Sequence, residues 1–168
     1  MERTKRTETS TLAVPGMNDL QKTKTPILIL DDHYPNLIAL EAILNDPSYE
    51  LVLASSGFEA LRHVENREFA VILSDIRMPI MDGFEFARSV KKHPNAQQTP
   101  IILLTAEPDE IDERFRVDAL GIVDFLCKPL EAAVVSSKVA ELARINQQRG
   151  QTAEISSRPE REKIDVLA

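Results

Sequence analysis

Five side chains able to do chemistry stand immediately after short aliphatic runs. Asp31 and Asp32 follow PILIL (26–30), Asp75 follows AVIL and Ser74, Thr105 follows PIILL (100–104), and Lys128 follows IVDFL and Cys127. If the runs lie side by side, three carboxylates meet a hydroxyl and an ammonium. Crowded carboxylates repel and raise one another's pKa unless a cation joins them. Mg2+ suits such a set, because it prefers oxygen ligands, keeps several waters and takes one or two carboxylates plus a phosphate. Lys128 is a compact charge for one phosphate oxygen, and the Thr105 hydroxyl can donate to another. An aspartate in this company can act as a nucleophile toward a phosphoryl group, with Lys128 and the metal neutralising the charge that develops. Taken singly, each residue has an ordinary explanation: an Asp-Asp or a lone Asp as a turn or cap, a Thr as a helix cap, a Lys-Pro as a strand exit. The agreement of four run ends points to chemistry.

The runs that must position these groups are PILIL, LVLA (51–54), AVIL (70–73), PIILL and IVDFL (122–126). Each is too short for a typical helix and rich in branched residues, so each is expected to be a strand. Their near-continuous apolarity predicts strands covered on both faces of a parallel sheet. Helical spacing lies between them. Leu37, Leu40, Ile43 and Leu44 share a face behind Pro35; Phe58, Leu61 and Val64 follow a Ser56/Glu59 capping box; Phe86 and Val90 lie four apart. Segment 107–121 has acids first, Ile111 and Phe115 on one face and Gly121 last, and a final helix runs from Leu130 to about Gln148. Five strand–helix repeats with right-handed crossovers predict an open, doubly wound α/β sheet. Its ligand crevice lies outside the carboxyl ends of the strands.

Residues 1–24 lack a sustained apolar period and are expected to be a flexible leader; residues 148–168 are expected to be a polar tail or linker. The 168 residues leave room for one core besides these tails. No apolar run approaches the roughly 18 residues that cross a bilayer, and no secretory apolar segment opens the chain. One cysteine, Cys127, allows no disulfide within the chain and fits a reducing, cytoplasmic setting. It is expected to pack under the fifth strand. A net charge of −7 argues against broad binding of nucleic acid or anionic membrane.

The elements ILILDDHYPNL (27–37), ILSDIRMPIMDGFEF (72–86), IILLTA (101–106) and GIVDFLCKPL (121–130) resemble the receiver domain of two-component response regulators. The resemblance spans about residues 25–147. It implies a (βα)5 flavodoxin-like sandwich with a five-stranded parallel sheet of order 2-1-3-4-5. It implies Asp75 as phosphoacceptor, and Asp31, Asp32, Asp75 and the backbone carbonyl of Arg77 as the Mg2+ site, with Asp32 the more direct of the acidic pair. Thr105 matches the switch hydroxyl, Lys128 the phosphate-binding lysine, Phe125 the aromatic switch position, and Ala106 a small residue that leaves space for the phosphoryl group. Arg77 and Glu107, each two residues past a key position, are expected to rim the pocket and to tune hydrolysis by pairing over it. His33 adjoins the acidic pair and is expected to face solvent; His63 and His93 are expected on the surface.

The function so implied is a receiver that takes a phosphoryl group from a histidine kinase or phosphotransfer protein. It would then switch the face made by segment 107–121, the fifth strand and the last helix. That face, or the last helix with Val134, Val135, Val139, Leu142 and Ile145, is expected to serve a homodimer, a separate partner or a fused output domain. Its only activity on itself would be phosphorylation and slow hydrolysis. A phosphatase with an aspartyl nucleophile would need D-x-D after the first strand, where this chain has Asp31-Asp32-His33 and no cap insertion. An interaction module that is never phosphorylated remains the other alternative.

Overall fold

The computed structural model describes residues 23–111 and 121–156. Nearly all of the expected leader, most of the helical segment 107–121 with Phe115, and residues 157–168 of the tail lie outside the described residues. Five strands form one parallel sheet: β1 (Thr25–Leu30), β2 (Tyr49–Ala54), β3 (Val71–Asp75), β4 (Ile101–Thr105) and β5 (Ile122–Cys127), in the order β2-β1-β3-β4-β5. The helices are α1 (Tyr34–Ile43), α2 (Gly57–Asn66), α3 (Gly83–Val90) and α4 (Ala132–Ser156). The doubly wound sheet and its order are as the sequence predicts.

Alternation along each strand splits the core in two. Leu28, Leu30, Ile72, Ile101 and Leu103 point into a layer closed by Ala60 and Val64 of α2 and Phe86, Ala87 and Val90 of α3. Ile27, Ile29, Leu73, Ile102 and Leu104 point the other way, against Leu37 and Leu40 of α1 and Val135, Val139 and Ala143 of α4. Full burial of each such aliphatic side chain favours the fold by about 1.5–3 kcal/mol. The central strands β3 and β4 are buried throughout. The edge strands β2 and β5 are not, which leaves Cys127 exposed rather than packed beneath its strand.

Three local expectations need correction. Phe58 is 58% exposed, because Ala60 and Val64, not Phe58, set the buried stripe of α2. Ser56 does cap α2 by accepting from the Glu59 N–H at 3.2 Å, but the Glu59 carboxylate takes the N–H and hydroxyl of Ser55 instead of closing the box. A complete capping box occurs at α3, where Asp82 accepts from the Glu85 N–H at 2.8 Å and Glu85 accepts from the Asp82 N–H at 3.1 Å. The last helix also runs past Gln148 to Ser156. Gly150 costs an exposed helix only about 1 kcal/mol, too little to end it. Among the described residues, no helix is long and apolar enough to cross a membrane.

Candidate functional site

Register and alternation bring the reactive groups together. Leu30 pairs with Ser74, Asp75 with Leu104, and Thr105 with Cys127. Asp31 therefore stands level with Asp75, and Lys128 comes one residue beyond the last pair. Asp31 continues the parity of Ile27 and Ile29, and Asp75 that of Val71 and Leu73, while Lys128 lies two residues past Leu126; all of these point to the α1/α4 side. Three charged side chains are thus directed to one end of one sheet face.

There the Lys128 ammonium donates to Asp75 Oδ1 at 2.6 Å and to Asp31 Oδ2 at 3.2 Å. Asp31 is fully buried and Asp75 nearly so. Burial raises the Asp75 pKa, and the charges of Asp31 and Asp32 add to this; Lys128 opposes without outweighing them. Burial would lower the Lys128 pKa, but its bonds to Asp75 and Asp31 reverse the sign and raise it. Burial and the neighbouring acids thus raise the Asp75 pKa against the pull of Lys128, which itself stays charged, and a further cation would relieve the crowding of carboxylates.

Asp31 has a second set of partners. The Asn36 amide donates to both of its oxygens at 3.1 and 3.0 Å, and the His33 N–H donates to Oδ1 at 2.9 Å. With Lys128 this gives the carboxylate three donor groups, the Asn36 amide spanning both oxygens. Asp32 stands at the rim, 21% exposed, with the His33 ring at 3.1 Å. Asn36 was not singled out from sequence, although a carboxamide in the first turn of α1, five residues after Asp31, was the available signal. His33 is exposed as expected, yet its ring meets Asp32.

Asp75, Lys128, Thr105, Ala106, Arg77 and His33 line one cavity of about 230 Å3. Asp32, Arg77, Met78 and Pro79 line an adjoining groove. Ala106 is exposed at the mouth. Arg77 and Glu107 are paired at 2.9 Å, both more than half exposed. Thr105 is buried, and its hydroxyl donates to the Glu107 carbonyl and accepts from the Glu107 N–H, each at 3.0 Å. It follows the parity of Ile101 and Leu103, away from the Asp75 face, which accounts for that engagement. Phe125 is half-buried and tilted 45° against Phe84, with centroids 6.3 Å apart, on the α2/α3 side.

The loop after Asp75 folds back beneath it. The Ile76 N–H donates to the Leu104 carbonyl at 3.0 Å, and the Gly83 N–H to the Ile76 carbonyl at 2.8 Å. A Cβ on Gly83 would lie 2.5 Å from the Asp75 carbonyl oxygen, so only glycine lets α3 begin here. Between these anchors Ile80, 90% exposed, takes a φ of 71°, which is unfavourable for a β-branched residue.

The donor set fits a hard divalent ion. Asp32 lines the groove and Asp75 the adjoining cavity, and both carry the carboxylate oxygens that Mg2+ prefers. Asp31, Asp32 and His33 each offer a ligand atom within 4.8 Å of one another, with Asp31 also held by Asn36 and Lys128.

Comparison with known proteins agrees with this geometry. Residues 27–140 match the model of the response regulator receiver domain. The chain is 34% identical over 124 residues to the cyclic di-GMP phosphodiesterase response regulator RpfG of Xanthomonas campestris, covering 73% of this chain and 32% of that protein. It is 36% identical over 118 residues to the response regulator PleD of Caulobacter vibrioides, covering 70% of this chain and 26% of that protein. It therefore spans about a third or less of these relatives' length. Among solved structures, chemotaxis protein CheY4 of Vibrio cholerae superposes with a TM-score of 0.64 at 30% identity, covering 71% of this chain and 99% of that one. The receiver domain of the sensor histidine kinase PA1611 from Pseudomonas aeruginosa, solved with magnesium in its active-site cleft, gives 0.63 at 29% identity, covering 72% and 98%. With its parallel sheet, its acidic pocket and a family match over most of its length, the chain belongs to the response regulator receiver domain family.

Proposed function

We propose that the chain is a phosphorylation-dependent switch in which Asp75 is the acceptor. The observation that carries this reading is the Lys128 ammonium held between Asp75 and fully buried Asp31 at the wall of a cavity large enough for a phosphoryl group. A carboxylate oxygen of Asp75 attacks the phosphorus of a phosphohistidine on a kinase or phosphotransfer protein. The N–P bond breaks, the histidine leaves as neutral imidazole after taking up a proton, and Asp75 becomes an acyl phosphate. Lys128 then exchanges its bond with Asp75 Oδ1 for one to a phosphoryl oxygen, while Asp31 and Asn36 keep its position. A Mg2+ ion bound by Asp32, Asp75 and the Arg77 carbonyl would supply further charge neutralisation. The magnesium in the cleft of the related PA1611 domain supports that assignment.

Phosphorylation brings about −1.5 to −2 of charge. Thr105, engaged with Glu107 in this state, is drawn toward it, and the β4–β5 edge with Phe125 and α4 follows, shifting an existing equilibrium. The listener is a second copy, a separate partner or an output domain, and the setting is cytoplasmic. Arg77, which lines the cavity and is paired with Glu107, slows attack by water, which returns carboxylate and inorganic phosphate. The test is intact mass after incubation with a small-molecule phosphodonor and Mg2+. The wild-type chain gains one phosphate and Asp75→Asn gains none; no gain on wild type overturns the reading.

A further inference from the structure

His33 has no task in phosphoryl transfer as described, yet its ring nitrogen lies within 4.8 Å of carboxylate oxygens of both Asp31 and Asp32. Nδ1 lies 3.1 Å from Asp32 Oδ1 and 3.8 Å from Asp31 Oδ1. The ring is 70% exposed, so packing does not dictate this position. It also lines the cavity into which Asp75 and Lys128 open. Two donors on adjacent corners of an octahedral first-row ion, each about 2.1 Å from the metal, stand about 3.0 Å apart. The His33 Nδ1 to Asp32 Oδ1 contact is a hydrogen bond at a length close to that edge, so a metal that replaced the shared proton would need little movement of either side chain.

The donor types decide which ions gain from this. Mg2+ holds oxygen ligands and gives up its waters reluctantly, so an imidazole offers it little. Co2+ and Zn2+ accept imidazole readily and bind mixed nitrogen and oxygen sites more tightly along the first-row series. Asp31 offers only oxygen and is already engaged by Asn36, Lys128 and the His33 N–H, so the nitrogen donor of this group is His33 alone.

We infer that His33 is a nitrogen donor to the phosphoacceptor pocket, giving this chain a preference for imidazole-binding first-row divalent ions over Mg2+. The inference rests on the reading of Asp32 and Asp75 as the metal site. The pocket would then respond to which divalent ion is available as well as to its phosphodonor.

The test is calorimetric titration of the metal-free full chain with Co2+ and, separately, with Mg2+. Wild type is expected to bind Co2+ more tightly than Mg2+. His33→Ala is expected to weaken Co2+ by at least about tenfold and to leave Mg2+ unchanged. His33→Gln, which keeps a polar group beside Asp32, is expected to match His33→Ala. Asp32→Asn is expected to weaken both ions. Unchanged Co2+ affinity in His33→Ala overturns the inference and leaves the metal site standing. An equal loss for both ions in His33→Ala also overturns it, since the ring would then only position Asp32. A wild-type chain that binds neither ion removes the metal reading and the inference together.

Discussion

Replacing Gly83 with alanine tests whether the acceptor is held by the loop that folds beneath it. The new Cβ would lie 2.5 Å from the Asp75 carbonyl oxygen and 3.0 Å from Ile76 Cα. Both neighbours are backbone, so no side chain can swing aside. Asp75 ends a buried strand, and Ile76 is fixed by its N–H bond to Leu104 at 3.0 Å. Either α3 retreats, stretching the 2.8 Å bond from the Gly83 N–H to Ile76, or the end of β3 moves. Overpacking of this kind costs about 1–3 kcal/mol, and the better helix propensity of alanine returns up to about 1. The net expectation is a loss of about 1–2 kcal/mol, seen as a urea midpoint lower by about 0.5–1 M. Because a displacement near 1 Å costs reacting groups about a hundredfold in rate, a smaller shift of Asp75 should slow phosphorylation on the order of tenfold. Gly150→Ala is the control. Nothing lies within 4 Å of its added Cβ, so stability should stay level or rise by up to about 1 kcal/mol. Equal urea midpoints for Gly83→Ala and wild type would refute the reasoning.

The Arg77→Ala, Glu107→Ala double variant should lose no more than about 1 kcal/mol of stability, since both side chains are more than half exposed. Its acyl phosphate should hydrolyse faster; equal decay of radiolabelled phosphoprotein in the two chains would remove the pair's proposed role. Lys91 gives a pH signature. Its ammonium reaches the carbonyls of Ala96, Gln97 and Thr99 at 3.2, 2.9 and 2.7 Å, and burial pushes its pKa from 10.5 down to about 8. The folded chain therefore binds fewer protons than the unfolded chain between those values, so stability rises with pH across that window. The unfolding free energy of wild type minus that of Lys91→Met should increase from pH 8 to 10.5. A flat difference would show that the three carbonyl bonds hold the proton as firmly as water does.

Much of the site was legible because strand alternation is a simple rule. Once PILIL, AVIL and IVDFL are read as strands of order 2-1-3-4-5, the parity of Ile29, Leu73 and Leu126 alone sends Asp31, Asp75 and Lys128 to one face. The same rule gives Thr105 the opposite parity, yet at the strand end it still lines the cavity that Asp75 and Lys128 share, and its hydroxyl's bonds to Glu107 were not legible. Helical faces were less legible. A wheel drawn through Phe58, Leu61 and Val64 weighs side-chain size, whereas the packed surface of α2 selected Ala60 and Val64 for their fit against the sheet.

The least legible features depend on close approach between segments that sequence spacing does not relate. Gly83 reads as a helix opener, and nothing local says that the Asp75 carbonyl occupies the space its Cβ would fill. Asn36 reads as an ordinary first-turn residue, yet it accounts for how Asp31 can be buried beside two other acids. A buried carboxylate is tolerated when it is paired and hydrogen-bonded, and here Lys128 pairs it while Asn36 and the His33 N–H donate to it. Asp32 keeps its oxygens toward the rim and the cavity side. Identical residues, adjacent in sequence, thus differ in surroundings: Asp31 is buried against an amide and an ammonium, and Asp32 stands at the rim against the His33 ring.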